Sequence, residues 1–183
     1  IMATNVPAMR GYFGSTEYYL LTMRAGELIT KLTIPKEMKG WDDLSPEERF
    51  QREVNYKRVR DYIAPYLAND PDRFIGAFIV TVKNHENMDF ESFEEAGIRI
   101  PKMLGTSFAD DIGILTLNGE ELLVPLDGQH RLAALQFAIT GKDERGKDID
   151  NIAGSDELAK DVCSVILIRD DVEKSRKIFN KVN

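Results

Sequence analysis

Residues 121–141 read ELLVPLDGQHRLAALQFAITG and contain a change of structural pattern. The run before Asp127–Arg131 is apolar and typical of a buried strand, whereas the apolar residues after it recur at the spacing of a helix. Gly128 permits a tight turn between the two, and Gly141 is a typical residue for ending a helix. We therefore predict a strand, a turn and then a helix over about residues 129–140.

The rest of the chain alternates between strand and helix patterns. Apolar runs typical of strands occupy residues 16–23 (TEYYLLTM), 74–82 (FIGAFIVTV) and 162–168 (VCSVILI). Asn118-Gly119 separates the apolar runs IGILTL and ELLVPL, which is a strong signal for a β-hairpin. Interleaved strands and helices with one hairpin favour an α+β fold with a mixed sheet over a doubly wound parallel sheet.

Helix patterns are found in three further places. AGELITKLTIP (25–35) has apolar residues at helical spacing, and DVEKSRKIFNKVN (171–183) reads as a helix. A longer helix is predicted for SPEERFQREVNYKRVRDYIAPYL, with Ser45 as its N-cap. We expect Pro65 to kink or end this helix.

Length and composition fit one compact domain. The chain has 183 residues and 43% hydrophobic content, so we expect a single domain over 1–183, which could be the N-terminal part of a longer protein. Residues 1–11 read as a lead-in, and the mostly polar residues 83–110 suggest an insertion or a lid. The sequence contains no apolar run of about 18 residues and no signal-peptide pattern, so we expect a cytoplasmic protein with no membrane partner.

Charge and cysteine content narrow the classes of function. The net charge is −7, and DNA affinity rests largely on Lys and Arg that neutralise phosphates. Any DNA contact must therefore come from a local basic face or from a partner. The single cysteine, Cys163, lies in an apolar run and is expected to pack in the core. No set of His and Cys has the spacing of zinc ligands, and no P-loop motif is present.

The residues between the predicted strand and helix are the strongest candidate for a site. The first backbone N–H groups of a helix lack intrahelical partners and lie at the positive end of its dipole, so they bind phosphate readily. Arg131 adds a forked cationic donor suited to phosphate oxygens, and His130 can donate a hydrogen bond or carry a proton near neutral pH. Asp127 could cap the helix, accept a hydrogen bond from a substrate or help to hold Mg²⁺.

A purely structural interpretation of the same residues stays open. Asp127 would cap the helix, Gln129 and His130 would be solvated, and Arg131 would pair with a nearby carboxylate. Because the polar cluster is denser than a helix cap requires, the pattern indicates a functional site equally well.

The segment LDGQHRLAAL (126–135) resembles the DGQHR-domain proteins, including the DndB-type proteins of DNA phosphorothioate (sulfur) modification systems. The segment that contains Gln51-Arg52 and the terminal RKIFNKVN also resemble family segments, in the expected order, so the resemblance covers about residues 10–183. It implies a ParB/sulfiredoxin-like fold, in which the corresponding strand, turn and helix handle nucleotide phosphates. It also implies nucleotide contacts from Arg58 and from Asn183, which could meet the base or the ribose. The alternatives are that Gln51, Arg52 and Arg58 lie on a solvated helix face and that Asn183 simply ends its helix.

The resemblance and the residues together lead to a functional expectation. We expect a protein of a DNA-modification or phage-defence system that binds ATP or another nucleoside triphosphate and hydrolyses it slowly, with Mg²⁺ held through Asp127. Asp127, His130 and Arg131 would be catalytic. The nucleotide would be bound by Gly128, Gln129, His130, Arg131, Gln51, Arg52, Arg58 and Asn183.

Partners and alternative functions follow from the same features. We expect the chain to meet other DNA-modification or restriction proteins, and an oligomer is consistent with the sequence. One alternative is a non-catalytic transcriptional regulator or partner-binding protein of the DNA sulfur-modification operon. A second alternative is a ParB-like nuclease.

Overall fold

The computed structural model describes residues 3–32, 53–99 and 107–169. Within these ranges the chain forms seven strands: β1 Thr4–Phe13, β2 Thr16–Arg24, β3 Phe78–Lys83, β4 Asp89–Ser92, β5 Ile112–Leu117, β6 Leu122–Asp127 and β7 Val162–Arg169. It also forms four helices with α-helical residues: α1 Ala25–Lys31, α2 (Tyr56–Arg58, the π turn Val59–Ile63 and Ala64–Asn69), α3 Gln129–Thr140 and α4 Asp156–Lys160. Two short 3₁₀ helices, His85–Asn87 and Ser107–Asp110, lie in the connections. The predicted helix start at Ser45 and the predicted helix 171–183 lie outside the described residues.

The strands form one mixed sheet with the order β4-β5-β1-β2-β7-β3-β6. β3 and β7 run parallel, and the other neighbouring strands run antiparallel. The predicted α+β fold with a mixed sheet is therefore confirmed. The strands predicted at 16–23 and 162–168 are the central neighbours β2 and β7, and the strand predicted at 74–82 begins four residues later, at Phe78.

The hairpin predicted around Asn118-Gly119 is wrong. The turn itself forms, since the Glu121 carboxylate accepts hydrogen bonds from the backbone N–H groups of Asn118 and Gly119. However, β5 pairs with β1 and β4, whereas β6 pairs with β3. In a flat sheet these two positions would be about 24 Å apart, but the connection from Leu117 to Leu122 spans at most about 18 Å. The sheet must therefore curl so that the edge formed by β6 approaches β5, near the opposite edge.

The N-terminal residues and the polar connection contain strands that the sequence patterns did not reveal. The expected lead-in 1–11 is wrong for its described part, because β1 pairs with both β2 and β5 in the middle of the sheet. Its side chains vary between apolar and polar on both faces, which hides the strand. The expected connection 83–110 includes the edge strand β4, which pairs with β5.

The helix α2 begins at Tyr56 within the described residues and continues past its proline. Its N-cap is Asn55, whose side chain accepts a hydrogen bond from the Arg58 N–H, and residues 53–55 before Tyr56 are not helical. Pro65 does not end the helix, because the π turn precedes it and the Ala64 N–H bonds to the Val59 carbonyl.

The main core lies between the helices and one face of the sheet. Buried residues of all four helices join buried residues of β1, β2, β3, β5 and β7 in a single cluster. Successive strand residues face opposite sides of a sheet, so Tyr18, Ile79 and Ile168 lie on the other face, where they form a smaller cluster with Leu126. Cys163 is buried in the main core as predicted, and burial raises the pKa of its thiol to about 11. No helix in the described ranges is long and apolar enough to cross a membrane.

Candidate functional site

The predicted strand, turn and helix are present at Asp127–Arg131. Strand β6 ends at Asp127, and α3 begins at Gln129. Gly128 between them has a φ of 102°, a conformation that residues with a side chain rarely adopt. A Cβ on Gly128 would lie 2.7 Å from Phe78 Cδ1 and 3.2 Å from Arg131 Nη2. Glycine is therefore required both by the backbone conformation and by the close approach of β3.

Arg131 connects the start of α3 to β6 and to the segment before β3. Its Nη2 donates to Asp127 Oδ2 at 3.3 Å, and its Nη1 donates to the Ala77 carbonyl at 3.1 Å. The guanidinium carbon lies 5.2 Å from the centroid of the Phe78 ring, within the range of a cation–π contact. Gly76 allows this arrangement, since a Cβ there would lie 2.9 Å from Arg131 Nη1. Two of the five guanidinium N–H donors are thus used within the fold.

Gln129 is buried and bonds back to the strand that precedes it. Its Nε2 donates to the carbonyl oxygens of Pro125 and Leu126, at 3.2 and 3.3 Å. The side chain is therefore not solvated, and its amide group satisfies strand carbonyls at the corner. Gln129 reaches a bound ligand most directly through its backbone N–H.

His130 holds the start of α2 against the start of α3. Its Nε2 accepts a hydrogen bond from the backbone N–H of Asn55 at 3.0 Å. Because that N–H can only donate, Nε2 carries no proton in this arrangement. Burial, and secondly the positive charge of Arg58, lower the pKa of His130 below its usual value. The neutral imidazole is thus the form that the fold favours.

Asp127 is half-exposed and pairs with Arg131. It does not cap α3, because Gly128 occupies the N-cap position and no side chain bonds to the first turn there. The Asp127 side chain retains 39% of its accessible surface, and only Oδ2 bonds to Arg131. Among the described residues no group of three His, Cys, Asp or Glu side chains could hold a metal ion. Asp127 could therefore supply one ligand to Mg²⁺, with the others coming from phosphate and water, as is common for this ion.

The first turn of α3 presents three backbone N–H groups that no acceptor in the described ranges uses. The first intrahelical bond runs from the Leu132 N–H to the Gly128 carbonyl at 2.8 Å. The N–H groups of the three residues before Leu132 have no hydrogen-bond acceptor among the described residues. The positive charges of Arg131 and Arg58 lie near this turn. The helix dipole and both cations favour an anion here, and the Asp127 carboxylate beside Arg131 opposes it.

Some predicted site residues cannot be placed, and some residues of the corner were not predicted. Gln51, Arg52 and Asn183 lie outside the described residues. Asn55 and Phe78 at the corner were missed, since contacts between elements leave no local pattern. A cleft of about 270 Å³ lies elsewhere, and none of its lining residues belongs to Asp127–Arg131.

Comparison with protein-family models shows the family of this chain. The family model DndB, described as DNA-sulfur modification-associated, matches residues 6–183 and so covers nearly the whole chain. No curated protein and no solved structure matches the chain. The ParB/sulfiredoxin-like relationship stays a prediction.

Proposed function

Because the chain belongs to the DndB family, which is associated with DNA-sulfur modification, we propose that it serves such a system by binding a nucleoside triphosphate at Asp127–Arg131 and hydrolysing it slowly. The family gives the chain a role in a DNA sulfur-modification system. The observation that carries the nucleotide proposal is the first turn of α3. Its three N–H groups have no acceptor among the described residues, and the positive charges of Arg58 and Arg131 lie beside them.

Phosphate oxygens would accept hydrogen bonds from the N–H groups of Gln129, His130 and Arg131. The guanidinium of Arg131 is fixed by Ala77 and Phe78, so little of its conformational freedom is lost when it binds a ligand. Its ion pair with Asp127 must be shared with the phosphate. The pair is partly exposed to solvent, at 24% for Arg131 and 39% for Asp127, and solvent screening keeps the cost of sharing the guanidinium moderate.

Mg²⁺ would relieve the repulsion between Asp127 and the phosphates. Arg131 bonds to Asp127 Oδ2, which leaves Oδ1 out of that ion pair. When bound, the ion would neutralise phosphate charge, which is the main requirement of phosphoryl transfer. Asp127 would hold it, and the first turn of α3 would orient the phosphate chain.

His130 would act as a positioning residue in this scheme. Its Nε2 is already used by Asn55, and its lowered pKa keeps the ring neutral. The ring therefore holds α2, and with it Arg58, beside the phosphate site. Loss of the ring would weaken binding through the displacement of α2.

Titration calorimetry with ATP and Mg²⁺, and phosphate release followed over hours, test the proposal. Arg131→Ala should lose binding, because it removes the fixed cation. Asp127→Asn should keep more binding than turnover, and His130→Ala should fall between the two in binding. Each variant is first checked for the folded state by circular dichroism, since all three residues also join parts of the fold.

A pair of arginine variants on α2 provides the matched control. Arg58→Ala should weaken ATP binding, because it removes a positive charge that would attract the phosphates. This charge is close enough to the first turn of α3 to lower the pKa of His130. Arg60→Ala should leave binding unchanged, because Arg60 lies near the carboxylates of Asp143 and Glu144 instead. Wild-type protein that binds no triphosphate and releases no phosphate would contradict the proposal.

The second candidate function is a non-catalytic regulator or partner-binding protein of the same system. It is favoured by one observation, the use of the Gln129, His130 and Arg131 side chains in contacts within the fold. In that case the motif would serve as a structural corner. Unchanged transcription of the modification operon in a strain that lacks the protein would count against it.

We further propose that the protein acts in the cytoplasm with other DNA-modification or restriction proteins. The net charge of −7 disfavours DNA binding by this chain alone, so a partner would bring it to DNA. Co-purification from a native strain, with and without nuclease treatment, distinguishes protein contacts from contacts through DNA.

A further inference from the structure

Three exposed aromatic side chains lie together on α2 and the loop that follows it. Tyr62 and Tyr66 are four residues apart on α2, so they are neighbours on its surface. The Tyr66 hydroxyl accepts a hydrogen bond from the Phe74 N–H at 2.9 Å and lies 3.3 Å from the Phe74 carbonyl oxygen. Tyr62 and Phe74 expose 72% and 83% of their surface. We call these three residues the aromatic surface.

The aromatic surface has free ring faces. Within the described part of the chain, none of its three rings stacks on another aromatic ring or lies under an arginine. Single exposed aromatic residues need no explanation, but here three exposed rings are carried by one helix and by the loop that the Tyr66 hydroxyl bonds to that helix. The π turn Val59–Ile63, which contains Tyr62, is a rare structure that is frequent at functional sites.

The aromatic surface is joined by a short segment to the turn at Asp127–Arg131. Only Ile75 and Gly76 separate Phe74 from Ala77, whose carbonyl accepts a hydrogen bond from Arg131. The Cα atoms of Phe74 and Ala77 are therefore at most about 11 Å apart. On α2, Arg58 lies one helical turn before Tyr62 and acts on His130. The segment 74–77 and the first part of α2 therefore both connect the aromatic surface to residues that contact the first turn of α3.

Charge differs between the two ends of this region. Arg58 and Arg131 lie at the α3 end, and Asp61 on α2 is paired with Lys57 and Arg60. The carboxylates of Asp70 and Asp72, in contrast, lie in the segment between Tyr66 and Phe74. Arg73, beside Phe74, is paired with Asp161 at 2.7 Å. A polyanion lying along the aromatic surface would meet these carboxylates. A mononucleotide would not, because its charge is confined to one end and its base is neutral.

We propose that the aromatic surface formed by Tyr62, Tyr66 and Phe74 stacks on the base of the nucleotide whose phosphates lie at the start of α3. This inference rests on the proposed function and adds a base-binding part to the site. Stacking on aromatic side chains tolerates every base, since each base has a π face. The aromatic surface should thus raise affinity for nucleotides over inorganic phosphate chains.

Titration calorimetry with two ligands in the presence of Mg²⁺ tests the inference. ATP carries a base, and inorganic tripolyphosphate carries only the phosphate chain. Phe74→Ala should weaken ATP binding by about tenfold or more, the effect of losing one stacking contact, and should leave tripolyphosphate binding unchanged. Phe74→Tyr, which keeps an aromatic ring, should bind ATP like the wild type.

Phe13→Ala is the matched control. Phe13 is as exposed as Phe74, at 85%, and lies at the end of β1 next to the turn into β2. This variant should bind both ligands like the wild type.

Each result separates the inference from the proposed function. If wild type binds both ligands and Phe74→Ala binds ATP unchanged, the base-stacking inference is wrong and the phosphate site stands. If wild type binds neither ligand, both are wrong. Binding of a short single-stranded oligonucleotide that depends on Phe74, without binding of ATP, would also overturn the inference.

Discussion

At the scale of single residues, Gly128 makes the corner possible. Gly128→Ala would place a Cβ within 2.7 Å of Phe78 and force an unfavourable φ, so the free energy of unfolding should fall by at least about 2 kcal/mol. Gly146→Ala is the control, because Gly146 also has a positive φ, of 76°, but a Cβ there meets nothing within 4 Å. The free energy of unfolding of Gly146→Ala should fall by about 1 kcal/mol. Urea denaturation measures both, and equal losses would contradict the close approach of β3.

His130 should make stability depend on pH. Its pKa is lower in the folded state than in the unfolded chain, so the unfolded state binds the proton first as the pH falls. The stabilisation is therefore fully present above about pH 6.5, the unperturbed pKa of histidine, and is lost as the pH falls toward the folded-state pKa. Denaturant unfolding between about pH 7.5 and 5.5 should show decreasing stability.

Histidine variants separate this effect from the titration of other groups. His130→Gln, which keeps a hydrogen-bond acceptor without a proton to gain, should flatten the pH dependence over this range. His85→Gln changes the other histidine, which does not contact Asn55, and should retain it. A wild-type curve that is flat, or a decrease that persists in His130→Gln, would contradict the assignment.

At the scale of elements, the start of α2 depends on its cap. Asn55→Ala removes the side-chain acceptor of the Arg58 N–H and should lower the free energy of unfolding by about 1 kcal/mol. Asn55→Asp keeps an acceptor and should lose much less. Both variants retain the backbone N–H that donates to His130. Chemical denaturation measures the difference, and no loss in Asn55→Ala would mean that the helix begins elsewhere.

The elements also show how far the sequence could predict the fold. β2, β7 and α3 were recognised because their apolar residues repeat at strand or helix spacing and are buried by neighbours on either side. β1 was missed because its pattern is mixed, and its place between β2 and β5 is decided by pairing with distant residues. The Asn118-Gly119 signal predicted the turn correctly but the pairing wrongly, because a turn does not fix which strands its flanks join.

In the candidate site, the local backbone pattern was predictable from the sequence, and the contacts with distant residues were not. The glycine turn and the helix start at Asp127–Arg131 follow from local sequence. The partners of those residues did not, since Asn55 and Ala77 come from segments 75 and 54 residues away. The expectation that Asp127 could cap the helix failed because Gly128 takes that position and Arg131 takes the carboxylate.

At the scale of the whole molecule, the acidic chain should bind DNA weakly. With 31 acidic and 24 basic side chains it can release few counterions from DNA. Fluorescence anisotropy with a labelled duplex at about 50 and 200 mM salt should give weak binding that changes little with salt. A tight complex whose affinity falls steeply with salt would identify a basic face in the folded protein.

The measurement that tests the central claim most directly is the response of the backbone amides at the start of α3 to a triphosphate. In ¹⁵N–¹H correlation spectra recorded during a titration with ATP and Mg²⁺, the N–H signals of Gln129, His130 and Arg131 should shift and saturate together. The Gly141 N–H, which bonds to Phe137 at the other end of α3, should stay unchanged. Saturable binding that shifts other amides and leaves Gln129–Arg131 in place would contradict the account, as would a spectrum that ATP does not change.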